Sequence, residues 1–325
     1  MTNAATNPPS PVSPVAELLG RVALAPRQTH KSLTLWPLLL REDALAFDGP
    51  GYIPLSRALE DGTLQVDEID GGGSVPLVRV ANRGGLDVLF LFGEEIRGAR
   101  QNRIANASFL VPARSELVID VSCVEQGRWG RRGRADFGSS GEIVSQRMRQ
   151  KMARKVAQSR SRGERFQADQ LEVWKDIGER LAYSHTSSAT DSYEDYVHSR
   201  RADLSDMLAA FRPLERQVGF LALEGDRIVG LEAIGRPDVF TQQFEGLVRS
   251  YAVDAIDAAM AKRERGAPVA DSPESFLAAL ARAPAVRTRS LGLGDDLRIE
   301  GEEVAGCALV SGQVVHLTAF PASPA

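Results

Sequence analysis

The first side chains that could do chemistry follow a short apolar run at residues 86–92. They are acidic, amide and basic: Glu94, Glu95, Gln101, Asn102 and Arg103. A buried strand that delivers polar groups to its end commonly places a binding or catalytic site, and carboxylates can exchange protons or stabilise a cationic sugar. Because successive side chains of a strand point to opposite faces, only one of Glu94 and Glu95 can face such a site.

A structural interpretation of the same group stays open. Glu94 or Glu95 could pair with a nearby arginine and fasten the loop to the sheet, without any ligand. The arginines in reach along the chain are Arg97, Arg100 and Arg103.

A second polar group follows a predicted strand at residues 116–124. It contains one acid, one amide, one guanidinium and one indole: Glu125, Gln126, Arg128 and Trp129. An arginine beside a tryptophan can bind a planar anion, because the guanidinium pairs with phosphate or carboxylate and the indole stacks on a ring. An Arg–Trp stack that closes the end of the core is the alternative. Cys123, in phase with the apolar residues of the strand, is expected to be a buried apolar residue and not a nucleophile.

Several known site types have no match in the sequence. The four histidines show neither HxxxH nor HExxH spacing, so no metal site is expected. There is no P-loop, no GxGxxG turn and no GxSxG elbow, which disfavours ordinary nucleotide-cofactor folds and the common serine hydrolases. We therefore expect no resident cofactor.

The elements that must position these groups are β-strands in the first half of the chain. Alternating or continuous apolar residues predict strands at residues 63–70, 75–81, 86–92, 108–111 and 116–124. The glycines of residues 70–73 predict a turn, and residues 82–85 predict a hairpin between the second and third strands. Several short strands separated by turns indicate a β-sandwich-like arrangement.

Helices and hairpins follow. Apolar residues three and four apart, with capping residues, predict helices at residues 15–19, 142–158, 170–183, 191–211, 241–265 and 273–282. Hairpins are predicted at residues 217–232 and 307–320, and their similar residue patterns suggest one common sheet.

The predicted architecture is α+β, with a β-sandwich-like N-terminal half, a helical middle and C-terminal β-hairpins. Residues 1–14 are expected to be a flexible tail, residues 15–141 a β-rich domain, and residues 142–325 an α+β region packed on it. One continuous domain is the alternative.

Charge is concentrated in the middle of the chain. Twelve basic and three acidic residues lie between Arg128 and Arg165, a net charge of +9, whereas the whole chain carries −4 and its remainder −13. Such a segment attracts an anionic partner, unless acids elsewhere in the fold neutralise it.

Composition limits the class of protein. With 325 residues, 43% hydrophobic and 25% charged, fibrous and disordered classes are excluded. No apolar run approaches the length of a membrane span, no secretory signal is recognised, and two cysteines are too few for a disulfide framework. A soluble, cytoplasmic protein is expected.

The two polar groups also carry a family resemblance over residues 33–129. It lies in the ordered motifs Gly93-Glu94-Glu95, Gly98-Ala99-Arg100-Gln101-Asn102-Arg103, Val111-Pro112-Ala113 and Cys123-Val124-Glu125-Gln126-Gly127-Arg128-Trp129. These motifs resemble a prokaryotic protein family known by its association with ADP-ribosylglycohydrolase and the rhodanese-phosphatase superfamily. The resemblance implies a link to NAD-derived or ADP-ribose metabolism, and it transfers no catalytic residue.

The leading hypothesis is a pocket for ADP-ribose or a related phosphate-containing ligand, with N-glycosidic hydrolysis as the reaction. Arg103 and Arg128 would bind phosphate, Trp129 would stack on the ring, and Gln101, Asn102 and Gln126 would orient polar edges. Glu94, Glu95 or Glu125 would supply acid–base chemistry.

Two alternatives belong to other classes. The basic segment could bind nucleic acid, or it could dock on the acidic remainder of a second copy in a non-enzymatic homo-oligomer. The pocket hypothesis, unlike these two alternatives, requires the two polar groups to lie close together in the folded protein.

Overall fold

The computed structural model describes residues 13–44, 51–69, 76–98, 100–128, 137–260 and 272–322. It shows a mixed α+β fold, which confirms the predicted class. The helices are α1 (Pro14–Gly20), α2 (Leu55–Glu60), α3 (Gln146–Ser161), α4 (Gln170–Tyr183), α5 (Tyr193–Ser199), α6 (Arg201–Ala209), α7 (Pro237–Met260) and α8 (Pro273–Arg282). The strands are β1 (Val22–Leu24), β2 (Gln28–His30), β3 (Leu33–Leu40), β4 (Tyr52–Pro54), β5 (Leu64–Glu68), β6 (Leu77–Asn82), β7 (Asp87–Phe90), β8 (Glu94–Arg97), β9 (Arg103–Ala105), β10 (Phe109–Val111), β11 (Ser115–Cys123), β12 (Gly138–Ile143), β13 (Gln217–Glu224), β14 (Arg227–Ile234), β15 (Ala285–Arg289), β16 (Asp295–Glu300), β17 (Val304–Ser311) and β18 (Gln313–Pro321).

The largest sheet joins the two ends of the chain. Its strands lie in the order β1-β3-β13-β14-β18-β17-β16-β15, with β2 also paired to β3. The hairpins β13–β14 and β17–β18 adjoin through β14 and β18, so they share one sheet, as their residue patterns suggested. Since β1–β3 precede residue 141 and β13–β18 follow it, this sheet spans the boundary predicted between the two regions.

Two smaller sheets carry the polar groups. One has the order β10-β7-β4 and the other β12-β8-β9-β11-β6-β5. In β11, Ile119, Val121 and Cys123 share one face and are buried, and Asp120 and Ser122 on the other face are buried too, so the end of this strand is covered on both faces. The strands that end in the two polar groups, β8 and β11, both flank β9.

The hairpin predicted at residues 82–85 is wrong. Its two strands form, but β6 pairs with β5 and β11, whereas β7 pairs with β4 and β10. The Asn82 side chain explains the separation: Nδ2 donates to the carbonyl oxygens of Leu86 and Pro112 at 2.9 and 3.0 Å, and Oδ1 accepts from the Gly84 N–H. These bonds form a side-chain turn that directs the chain from one sheet to the other.

The helices begin where capping residues stand. The Ser13, Ser145, Ser192 and Ser272 side chains each accept a hydrogen bond from the first turn of a helix. Helix α4 has the predicted bounds. None of the described helices is long and apolar enough to cross a bilayer.

Three other helices differ from prediction. Helix α7 begins at Pro237, four residues before the predicted start at residue 241. The helix predicted at residues 142–158 begins only at Gln146, because the residues before it form β12 against β8. The helix predicted at residues 191–211 is divided into α5 and α6 at Arg200, whose backbone (φ −97°, ψ 4°) leaves the helical path. The tail residues 1–12, the glycine turn 70–73, Trp129 and the end predicted for the helix at residue 265 lie outside the described residues.

A buried ion pair with its hydrogen-bond partners lies inside the core. Arg149 of α3 and Glu232 of β14 are both fully buried, and Nη1 lies 2.7 Å from Oε1. Their further partners are hydroxyl and imidazole groups: Ser250, Tyr251, His316 and Thr318. His316 Nδ1 lies 2.7 Å from the Ser108 hydroxyl, which extends the contact into the three-stranded sheet region.

We expect Arg149→Met to lower the free energy of unfolding by about 3–5 kcal/mol, because it leaves the Glu232 carboxylate buried without its cation. Urea denaturation followed by circular dichroism measures this loss. The exposed Arg282→Met is the control and should change stability by less than about 0.5 kcal/mol. The double variant with Glu232→Met should be less destabilised than Arg149→Met alone; equal losses would show that the pairing is not the cause.

Candidate functional site

The two polar groups meet in the structure. The first spans β8, the loop after it and the first residue of β9, the second follows β11, and β9 lies between β8 and β11. The Gln101 Nε2 donates to the Glu125 carbonyl oxygen at 3.0 Å, and the Asn102 N–H donates to Glu125 Oε2 at 3.3 Å. Residues that are distant along the chain therefore form one hydrogen-bonded group.

Asn102 is the centre of this group and is almost fully buried. Its Oδ1 accepts from Arg128 Nη2 at 3.0 Å and from the Gly98 N–H at 3.3 Å. Its Nδ2 donates to Glu194 Oε2 at 3.2 Å. Asn102 thus connects the second polar group to helix α5.

Glu125 and Arg128 neutralise each other. Arg128 Nη2 lies 2.7 Å from Glu125 Oε2, and the Thr190 hydroxyl donates to Glu125 Oε1 at 2.9 Å. The backbone packs tightly here, because a Cβ at Gly127 would lie 2.9 Å from the Thr190 Cα. Gln126 is exposed.

Arg103 lies deeper. It is fully buried on β9, directly opposite Cys123 of β11, and its Nη1 donates to Gln101 Oε1 at 2.8 Å. Glu68 is 3.8 Å from Nη2, a long ion pair. Burial lowers the pKa of Arg103 and raises the pKa of the Cys123 thiol, which is itself fully buried.

Glu94 and Glu95 point in opposite directions, as strand geometry requires. Glu94 Oε2 accepts from the Leu91 N–H at 2.9 Å and is hydrogen-bonded by Gln243. Burial raises the pKa of Glu94 to about 8, against the opposing effect of these two bonds. Its partners belong to the core, and none is a cation.

Glu95 faces the charged side of β8. Its Oε2 lies 3.4 Å from Arg97 Nε, and its buried Oε1 has no hydrogen-bond partner among the described residues. Burial raises the pKa of Glu95 to about 7; Arg97 and Ser140 oppose the rise, and the like charges of Glu194 and Glu142 add to it. A carboxyl group with a pKa near neutrality can both give and accept a proton at physiological pH.

A cavity of about 710 Å³ opens beside Arg97, between α5–α6 and α7. Its polar lining consists of Arg97, Glu142, Glu194, His198, Arg201, Ser205, Thr241, Glu245 and Arg249. Its apolar wall consists of Val197, Leu204, Leu208, Ala209, Phe211, Pro213 and Phe244. None of the described residues predicted for the site from the sequence lines it directly.

Two residues connect the cavity to the predicted polar groups. Arg97 Nη1 pairs with Glu194 Oε1 at 3.1 Å, and the same arginine contacts Glu95. Glu194 also accepts from Asn102. The polar end of the cavity is therefore continuous with both sequence-predicted groups, which lie behind it.

A β-bulge shapes the floor of this end. The register of β12 against β8 shifts between Ser139 and Ile143, and Gly141 has φ +68°. The bulge turns Glu142 toward the cavity, where its Oε1 accepts from Arg249 Nη1 at 2.6 Å. Bulges often redirect side chains beside functional sites.

Sequence reasoning missed most of the lining. Arg97 was considered only as an ion-pair partner and Glu194 only as part of a helix cap. No pattern in the sequence indicated that Arg201, Arg249, Phe211 and Phe244 belong to a site. These residues come together only when the helices have packed beside β8 and β12. No local spacing encodes that packing.

Six of the twelve basic residues of this segment are neutralised by carboxylates of the same chain. Arg131, Arg132 and Arg134 lie outside the described residues. Six of the other nine basic residues form ion pairs: Arg128–Glu125, Arg147–Glu224, Arg149–Glu232, Lys151–Asp176, Lys155–Asp169 and Arg165–Asp120. Among the residues with described positions, no group of three or more His, Cys, Asp or Glu is arranged to hold a metal ion.

The raised pKa of Glu94 makes a prediction about stability and pH. A carboxyl whose pKa is raised by folding binds its proton more tightly in the folded state, so its contribution is complete at low pH and is lost as pH rises toward 8. Between pH 5 and 8, the wild type should lose stability relative to Glu94→Gln, by at most about 1.4 kcal/mol per pH unit. Urea denaturation across this range measures the difference. The free energy of unfolding of the exposed Glu60→Gln variant should change with pH as that of the wild type does. Parallel curves for Glu94→Gln would contradict the prediction.

Comparison with known proteins places the chain in a family. No curated protein and no solved structure matches it. A family model described as the ARG and Rhodanese-Phosphatase-superfamily-associated Protein domain matches residues 21–320, which is most of the chain. This match includes every strand and helix of the fold except α1, and it agrees with the resemblance of the two polar groups. The chain therefore belongs to the ARG and Rhodanese-Phosphatase-superfamily-associated Protein family.

Proposed function

We propose that the protein binds a phosphate-containing ligand of the ADP-ribose class in the 710 Å³ cavity. The observation that carries this proposal is the meeting of three arginines and an apolar wall in one cavity. Its volume lies within the range of about 300–1,000 Å³ that is usual for small-molecule sites. The family's association with ARG, which we read as ADP-ribosylglycohydrolase, supports the ligand class.

Arg201 is the arginine best placed to take a phosphate. Arg97 and Arg249 already pair with carboxylates that line or adjoin the cavity. Arg201 makes no ion pair with a carboxylate among the described residues, and its Nη1 lies 2.6 Å from His198 Nε2. An exposed guanidinium with His198 beside it can bind phosphate oxygens through charge-assisted hydrogen bonds.

The apolar wall suits the base of a nucleotide. Phe211 and Phe244 both line the cavity, on the segment after α6 and on α7. Phenyl rings stack on planar heterocycles, and burying apolar surface adds to affinity. A ligand that combines an aromatic base with phosphates offers a partner to both the apolar and the basic residues of the lining.

Glu95 and Glu194 are the carboxylates proposed for chemistry. They lie on either side of Arg97, which contacts both. Hydrolysis of an N-glycosidic bond needs one group to exchange a proton and one to stabilise a cationic sugar. We assign the first role to Glu95, whose pKa lies near 7, and the second to Glu194.

The residues predicted from the sequence act behind this cavity in the proposal. Asn102 and Arg97 hold the two oxygens of Glu194, and Glu125 and Arg128 hold Asn102. Gln101 and Arg103 support that arrangement from the interior. Binding of nucleic acid or of a second copy through the basic segment has less support, since six of its nine described basic residues are paired internally.

We expect isothermal titration calorimetry to detect binding of ADP-ribose, NAD or AMP. Arg201→Met should raise the dissociation constant at least about tenfold, because it removes the cation proposed for phosphate, an effect of about 1.4 kcal/mol. The matched control is Arg282→Met, an exposed arginine outside the cavity lining, which should bind like the wild type. If the folded protein binds none of the three compounds, the proposed ligand class is wrong.

A further inference from the structure

Arg97 lies between a buried carboxylate and the cavity. About a third of its side chain is exposed (35%), and it lines the cavity, whereas the Glu95 side chain is 0% exposed and does not line it. The Arg97 Nε contacts Glu95 Oε2 at 3.4 Å, and Nη1 contacts Glu194 Oε1 at 3.1 Å. A ligand in the cavity therefore meets Arg97 before it meets Glu95.

Glu95 depends on Arg97 for its negative charge. Among the described residues, Arg97 is the cation that faces it; the other groups facing it are Glu194 from α5, and Glu142 and the Ser140 side chain from β12. The two glutamates repel a charged Glu95, and Glu95 Oε1 has no hydrogen-bond partner. A buried carboxylate that loses its cation in such surroundings takes up a proton.

The contact between Arg97 and Glu95 is weak enough to be exchanged. At 3.4 Å it is longer than an ordinary charge-assisted hydrogen bond of about 2.7–2.9 Å. The diphosphate of ADP-ribose carries two negative charges and offers more acceptor oxygens than a single carboxylate. A guanidinium at the cavity surface can thus move from Glu95 to a phosphate without breaking a strong bond.

We propose that Arg97 is a positioning residue that covers Glu95 and is drawn away by the phosphate of an incoming ligand, with Glu95 taking up a proton from solvent in exchange. The inference rests on the proposed function, since it needs a phosphate ligand in this cavity. It increases the fraction of Glu95 that is protonated, and so able to act as a general acid, when ligand is bound. No covalent bond changes in this step: the carboxylate gains one proton, and the arginine changes partner.

The first test follows proton uptake during binding of ADP-ribose. Calorimetry at pH 7.5 in two buffers of different ionisation enthalpy gives the number of protons taken up per ligand. We expect about half a proton for the wild type, falling toward zero below pH 6, where Glu95 is already protonated. Glu95→Gln should abolish the uptake, whereas Glu94→Gln should leave it unchanged, since Glu94 faces the core.

The second test needs no ligand. Arg97→Met should shift the titration of Glu95 upward by about one pH unit or more, because it removes the cation. The infrared carbonyl band of protonated carboxyl groups, taken as the difference from the same variant carrying Glu95→Gln, follows this titration. Arg282→Met is the control for loss of a surface arginine, and it should leave the titration in place.

The outcomes separate the two proposals. Binding without proton uptake, or an unshifted Glu95 titration in Arg97→Met, overturns the role of Arg97 and leaves the ligand site standing. Failure of the folded protein to bind ADP-ribose, NAD or AMP overturns both. Uptake that disappears in Glu95→Gln, together with the shifted titration, supports the exchange.

Discussion

The buried ion pair between Arg149 and Glu232 is the interaction on which the rest of the structure depends. It joins α3 to β14 in the middle of the largest sheet, and Tyr251 of α7 and Thr318 of β18 bind the same Glu232 oxygen. Two opposite charges taken out of water are tolerated only where geometry and added hydrogen bonds satisfy both groups. These partners come from four elements, so the elements must assemble together or leave a buried charge unpaired.

This ion pair also determines where the strand of the candidate site begins. A Cβ at Gly93 would lie 2.6 Å from the Arg149 Cδ, and Gly93 has φ +80°, which favours glycine. The Gly93 carbonyl accepts from the Val144 N–H, and the Val144 carbonyl accepts from Arg149 Nε. The start of β8 is thereby fastened to α3. Glu94 and Glu95 are its first two residues, and their opposite directions follow from the alternation of side chains along a strand.

The described charged side chains of the basic segment pair mainly with other residues of the same chain. The positive segment is distributed over α3 and its neighbours, and most of its described cations meet carboxylates from distant parts of the chain. The polar end of the cavity continues this pattern, with Arg97 and Arg249 each held by acidic side chains. Arg201 differs from them in lacking a carboxylate partner among the described residues, which is why it, and not the basic segment, carries the proposal for an anionic ligand.

Interactions between residues that are close in sequence made several helices and strands of this protein predictable. The serine caps of α1 and α8, the bounds of α4 and the apolar phase of Ile119, Val121 and Cys123 each depend on residues a few positions apart, so these features were predictable. The polar group after β11 was predictable for the same reason. The first polar group, predicted to follow the strand at residues 86–92, instead spans β8, the loop after it and the first residue of β9. Tertiary structure alone decided that Asn82 separates β6 from β7, that Arg97 pairs with Glu194 of α5, and that α5–α6 and α7 enclose a cavity beside Arg97. Those outcomes depend on contacts between residues dozens to more than a hundred positions apart, whose energies arise only when the sheets and helices have packed together.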